Sequence, residues 1–176
     1  MSMKAKTKKR AGGTLKYRAK ARTGEQLNRV AFPLGGLGAG MMSLEGTGAI
    51  SQMSLRHKPE VYHEPAVLFG ALHVRGAKTA RVVEGPVPMW KAFGQEAAAA
   101  GNGLNGRSYG LPRFAKASFT SAFPFAEVAL ADPNMPVVAT IRGWSPFTPG
   151  NADDSSLPVA ALEYVFRNRT RRPVKA

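Results

Sequence analysis

The 176-residue chain contains no cysteine at all and only 11 acidic residues against 25 lysines and arginines. Without cysteine there can be no disulfide, thiolate metal site or cysteine nucleophile. The absence also suits a reducing compartment, so the expected location is cytoplasmic. Long apolar runs are missing too: no segment approaches the length needed to span a bilayer as a helix. Basic residues open the chain but no apolar core of a secretory signal follows them. What is present in quantity is punctuation, with 19 glycines and 13 prolines dividing the chain into short pieces.

The net charge of +14 resembles a nucleic-acid signal until it is placed along the chain. Residues 1–22 carry nine basic residues and no acid, and residues 167–176 carry five more (Arg167, Arg169, Arg171, Arg172, Lys175) and no acid. Between them the charges balance. The basic field therefore belongs to two ends, which are expected to be solvated tails. Such tails contact nucleic acid only non-specifically, through counterion release. Residues 1–28 are polar and charged enough to be expected as a disordered basic tail.

From Val30 onward Gly and Pro recur every eight to twelve residues, and the runs between them are short and rich in β-branched and aromatic residues. Leu37 to Glu45 and Ala49 to Leu55 flank Gly46-Thr47-Gly48 as a hairpin. Further strands are expected over 66–74, 79–84, 116–122, 125–131, 137–144 and 157–167. One helix is expected from Pro88 through Ala100, where four alanines favour it. The pattern predicts an all-β chain, an antiparallel β-sandwich with one short helix. Residues 29–168 form the expected domain, and 169–176 a basic tail or truncated end.

Candidate chemistry is thin. Asp153 and Asp154 are adjacent carboxylates, but neighbours on extended backbone point to opposite sides. They lie among Asn151, Ser155 and Ser156, residues that form turns by bonding their own backbone. Asn151, Asp153 and Ser155 offer hard oxygen ligands on one loop, a calcium reading weaker than the turn reading. His57, Glu60, His63 and Glu64 crowd one segment, but the histidines are six apart and Pro59 and Pro65 prevent a regular helix, so a proline-bounded connector is favoured over zinc. His73 reads as a satisfied sheet residue. Gly101-Asn102-Gly103-Leu104-Asn105-Gly106 has the letters of a dinucleotide fingerprint without the strand before it and helix after it. Trp90 and Trp144 could stack on sugars, although a tryptophan at a strand end more often plugs a core or meets another domain. Asn168-Arg169-Thr170 is a glycosylation sequon with no signal peptide to give it meaning. No catalytic, cofactor-binding or metal-binding residue is assigned.

Two segments point to a family. Phe32-Pro33-Leu34-Gly35-Gly36-Leu37-Gly38-Ala39-Gly40 is followed a hundred residues later by Gly143-Trp144-Ser145-Pro146-Phe147, then Asp154-Ser155-Ser156-Leu157-Pro158-Val159-Ala160. Over roughly residues 30–168 the chain resembles the N-terminal domain of glycoside hydrolase family 116, the bile-acid β-glucosidase or non-lysosomal glucosylceramidase group. The resemblance implies a β-sandwich that packs on an (α/α)6 barrel holding the catalytic carboxylates, so it transfers no catalytic residue to this chain. Its implied partners are that helical-barrel domain and, through it or directly, carbohydrate. It also implies further sandwich strands beyond Ala176, which makes a truncated or split frame the expectation.

Overall fold

The structure is a computed structural model and describes residues 19–60, 68–89, 91 and 108–176. Among the described residues are eleven strands, a 3-10 helix over Gly24–Arg29 and a short helix α1 over Ala152–Ser155. One antiparallel sheet has the order β1-β8-β9-β10-β11: β1 Arg22–Thr23, β8 Lys116–Ala122, β9 Phe125–Ala131, β10 Val137–Trp144 and β11 Ala161–Asn168. A second has the order β2-β3-β4-β5: β2 Ala31–Leu34, β3 Met41–Glu45, β4 Ile50–Leu55 and β5 Lys58–Glu60. A third sheet is the small pair β6 Ala71–Leu72 and β7 Arg81–Val82, whose Leu72 joins the core.

Alternation explains why the meander β8-β9-β10 forms as its sequence reads. In β10, Val137, Ala139, Ile141 and Gly143 are buried while the residues between them face outward. In β9, Ala126, Val128 and Leu130 are buried likewise. A period of two gives each strand one apolar face. That face meets the second sheet: a Cβ on Gly143 would lie 3.0 Å from both Leu34 and Leu44, and the Phe32 and Phe119 rings are 6.3 Å apart. The molecule is thus the all-β sandwich expected, with its core between the two sheets.

Several boundaries differ from expectation. Residues 22–28, placed in the disordered tail, are ordered. Arg22 and Thr23 pair with Phe119 and Ser118, and Leu27 is buried against Gly46. One leucine in a charged stretch is enough to anchor it when a sheet edge is available. The expected strand over 66–74 shrinks to Ala71–Leu72, with Leu68 and Phe69 exposed; residues 66 and 67 lie outside the described residues. An apolar run shows that burial is possible, not that a neighbouring strand exists. The strand expected from Leu157 starts at Ala161, because Leu157 to Ala160 form an irregular segment, bent at Pro158, that follows the turn at Ser156. α1 itself was expected as a loop; the Asn151 side chain caps it by accepting from the Asp154 N–H at 3.1 Å. Most of the helix expected over 88–100, the glycine run at 101–106 and residues 1–18 lie outside the described residues. The C-terminal segment is tied down: the Arg75 N–H donates to Lys175 O at 2.9 Å, and Val174 packs against the core.

Candidate functional site

The two segments that carried the family resemblance meet in space. The Gly35 N–H donates to Ser145 Oγ at 3.0 Å, and the Leu37 N–H donates to Ser155 O at 2.8 Å. Gly36 approaches so closely that a Cβ on it would lie 2.1 Å from Leu157 O. Only glycine permits that approach. Ser155, buried, braces the loop from within. Its hydroxyl lies 2.6 Å from Asn151 O and 3.0 Å from Thr148 O, and accepts from the Thr148 N–H at 2.9 Å. The junction joins the end of β2 to the α1 loop, and its groups are already bonded to one another.

The nominated residues are scattered. Asp153 and Asp154 are exposed on α1, where Asp154 Oδ2 accepts from Asn151 Nδ2 at 2.7 Å, so they do not face each other across a cleft. His57 is exposed in a two-residue hairpin turn between β4 and β5, where Arg56 and His57 have φ of 53° and 59°. Positive φ at both central residues marks a type I′ turn, so Pro59 sits in an edge strand and does not break the segment there. His63 and Glu64 lie outside the described residues, as does Trp90. His73 follows β6 and is exposed, contrary to its reading as a sheet residue. Among the described residues no three His, Cys, Asp or Glu side chains gather as metal ligands.

The acidic side chains that the structure does organise were not singled out in the sequence. Glu45, at the end of β3, accepts from the Ser51 hydroxyl and from Lys91 Nζ, the latter at 2.6 Å. Glu84 accepts from Arg113 Nε at 3.3 Å. The same guanidinium holds the loop before β8, donating to Ser108 O at 2.7 Å and Leu111 O at 3.0 Å. Burial pushes the Glu84 carboxyl above the ordinary carboxylate range; Arg113 opposes this, and the charge on Glu45 adds to it. Beside Glu84, Lys91 and Arg113 is a cavity of about 20 Å³. That is room for a water molecule and not for a sugar ring. A carboxyl with a raised pKa is a possible acid catalyst elsewhere, but here it has no space for a substrate.

Asp132 is the opposite case. Burial alone would raise its pKa, yet bonds from Arg81 Nε at 2.9 Å and the Asn134 N–H at 2.7 Å hold it below the ordinary value. A lowered folded-state pKa means stability that is present above the unfolded value, near 4, and lost as pH falls through the folded one. Asp132→Asn should therefore be less stable than the parent at pH 7 and lose less stability between pH 5 and pH 2. Urea unfolding across that range measures it; parallel pH profiles would contradict the assignment.

On the outer face of the larger sheet, Glu127, Arg142 and Glu163 stand in one cross-strand row. Arg142 donates to Glu127 Oε2 at 3.0 Å and Glu163 Oε2 at 3.2 Å, and these bonds, that to Glu127 first, raise its pKa. The two carboxylates are on strands either side of β10, so their backbones are about 9–10 Å apart. Both accept from one guanidinium. A retaining glycosidase needs its pair about 5–5.5 Å apart, with one member protonated. Trp144 and Phe125 are directly paired on the same face, in a groove of about 420 Å³ that also includes Arg142 and Glu163. At the end of that face Phe123 and Phe147 meet edge to face, centroids 5.0 Å apart, with Phe123 and Phe125 each 58% exposed.

This sandwich, with its braced glycine junction, is a recognised protein class. A family model described as beta-glucosidase 2, glycosyl-hydrolase family 116 N-term, matches residues 31–176. The chain belongs to glycosyl-hydrolase family 116 and represents its N-terminal domain. No curated protein matches the sequence. Among the described residues no helix is long and apolar enough to cross a membrane.

Proposed function

We propose that the chain is a non-catalytic sandwich that supports and partly walls an active site carried by a helical-barrel domain of a β-glucosidase or glucosylceramidase, in cis or as a separate chain. The placement of the acids carries this reading. Among the described residues, Glu45, Glu84 and Asp132 are buried against Lys91, Arg113 and Arg81, and Glu127 and Glu163 grip Arg142. None combines a proton to donate, a neighbouring nucleophile and space for a sugar. The exposed Phe123, Phe125 and Phe147 give the partner domain an apolar surface to cover. The cysteine-free composition supports a cytoplasmic setting, and the basic N-terminal residues supply only non-specific attraction to anionic polymers.

The test is hydrolysis of an aryl β-glucoside by the purified chain, with and without a co-expressed helical-barrel domain. Turnover is expected only with the barrel. Turnover by the chain alone, lost on changing a carboxylate of this chain, overturns the proposal. The Trp144–Phe125 groove beside Glu127, Arg142 and Glu163 favours a second reading, a stand-alone carbohydrate-binding module, since sugar faces stack on aromatic rings and sugar hydroxyls bond to charged rows. Saturable quenching of tryptophan fluorescence by a glucoside, abolished by Trp144→Ala in the absence of any barrel, would decide for that reading.

A further inference from the structure

The outer face of the larger sheet carries two neighbouring rows of side chains. Thr120, Glu127, Arg142 and Glu163 stand side by side across β8, β9, β10 and β11. Three strand spacings, about 14 Å, separate the ends of that row. Two residues further along the strands, about 7 Å away, Phe125 and Trp144 form the second row. All six line the groove of about 420 Å³. Neither ring packs against another aromatic among the described residues, and the Trp144 Nε1–H makes no hydrogen bond there. Glu127 and Glu163 each use Oε2 on Arg142, which leaves Oε1 of both acids and Nη2 of the arginine unbonded.

We infer that this groove binds an extended, uncharged oligosaccharide lying across the strands, with one sugar on Trp144 and the next on Phe125. The inference rests on the binding-module reading of the groove and adds the length and charge of its ligand. The order of charges selects a neutral ligand. The row reads acid, base, acid, so an anion meets two carboxylates and a cation meets Arg142 between them. Hydroxyl groups both donate and accept, and so suit all three side chains. Two open aromatic faces select rings with an apolar face. The span selects more than one ring, because the polar row is longer than a single pyranose and the two aromatics lie one strand spacing apart. A straight row selects an extended, β-linked chain over a coiled one. The sugar on Trp144 then turns its edge hydroxyls toward Arg142 and Glu163, and the sugar on Phe125 toward Glu127 and Thr120.

Isothermal titration calorimetry of the full chain with glucose, cellobiose and cellotriose is the test. The Kd should fall about tenfold or more from glucose to cellotriose. Phe125 is 58% exposed, so Phe125→Ala leaves the core intact, and it should remove most of that gain. Trp144→Ala should weaken cellotriose about tenfold, while Trp144→Phe, which keeps a stacking face, should stay within about threefold of the parent. Cellotriose with its primary alcohols oxidised to carboxylates should bind more weakly than cellotriose itself. Tighter binding of the oxidised sugar overturns the neutral ligand. Equal affinity for glucose and cellotriose, or a cellotriose Kd that Phe125→Ala leaves unchanged, overturns the extended ligand while the binding-module reading stands. Binding of none of the three sugars overturns both.

Discussion

Lys91→Met is expected to destabilise the domain by about 3–5 kcal/mol, close to the limit a small domain survives. The Lys91 ammonium lies 2.6 Å from Glu45, and the two side chains are 4% and 6% exposed. Removing the cation leaves a buried carboxylate whose remaining side-chain partner among the described residues is the Ser51 hydroxyl. The Glu45 charge is also felt by Glu84, whose carboxyl it pushes upward. The penalty comes from breaking the pair rather than from any large net worth of the pair itself. A Glu45→Gln/Lys91→Met double variant should accordingly recover a substantial part of the loss. Urea unfolding of parent, single and double variants gives the comparison. A single variant within about 1 kcal/mol of the parent, the range of an exposed pair, would show that this pair is solvated.

Gly36→Ala is the second large effect, expected at about 3 kcal/mol. The new methyl group would lie 2.1 Å from Leu157 O and 2.7 Å from Ser156 C. Both are backbone atoms, in a loop that Ser155 already fixes, so the strain cannot be relieved by a side-chain rotation. Relief requires the loop to move, which would break the bond from the Leu37 N–H to Ser155 O. Gly38→Ala is the control. It meets no atom within 4 Å but has φ of +73°, so its cost should be the conformational one alone, about 1 kcal/mol. Equal costs for the two would mean the glycine cluster serves only backbone conformation and not the close approach to the α1 loop.

What could be read from the sequence was whatever a local pattern encodes. β9 and β10 begin and end where their alternation begins and ends, because one buried face per strand is a property of the strand itself. The family resemblance was legible because its glycines, serines and prolines are held by close backbone contact, which tolerates few substitutions. That these two segments touch each other was not legible, since Gly35 and Ser145 are 110 residues apart. The buried ion pairs were hidden for the same reason. Glu84 and Arg113, 29 residues apart, look like ordinary surface charges until the fold brings them together. The short paired segment at Arg22–Thr23 was hidden by its polarity, because an edge strand needs only backbone partners and not an apolar face. His57 and the adjacent Asp153 and Asp154 drew notice because of what they are in sequence, and in space they stand apart at turns and a helix end.

The central claim is that this chain supplies structure and no catalytic group to a family 116 glycoside hydrolase. The most direct measurement is mass spectrometry of the chain and a co-expressed helical-barrel domain after incubation with a fluorosugar that traps the nucleophile of a retaining β-glucosidase. The account predicts one covalent label on the barrel and an unchanged mass for this chain. A label on a carboxylate of residues 1–176 would contradict it.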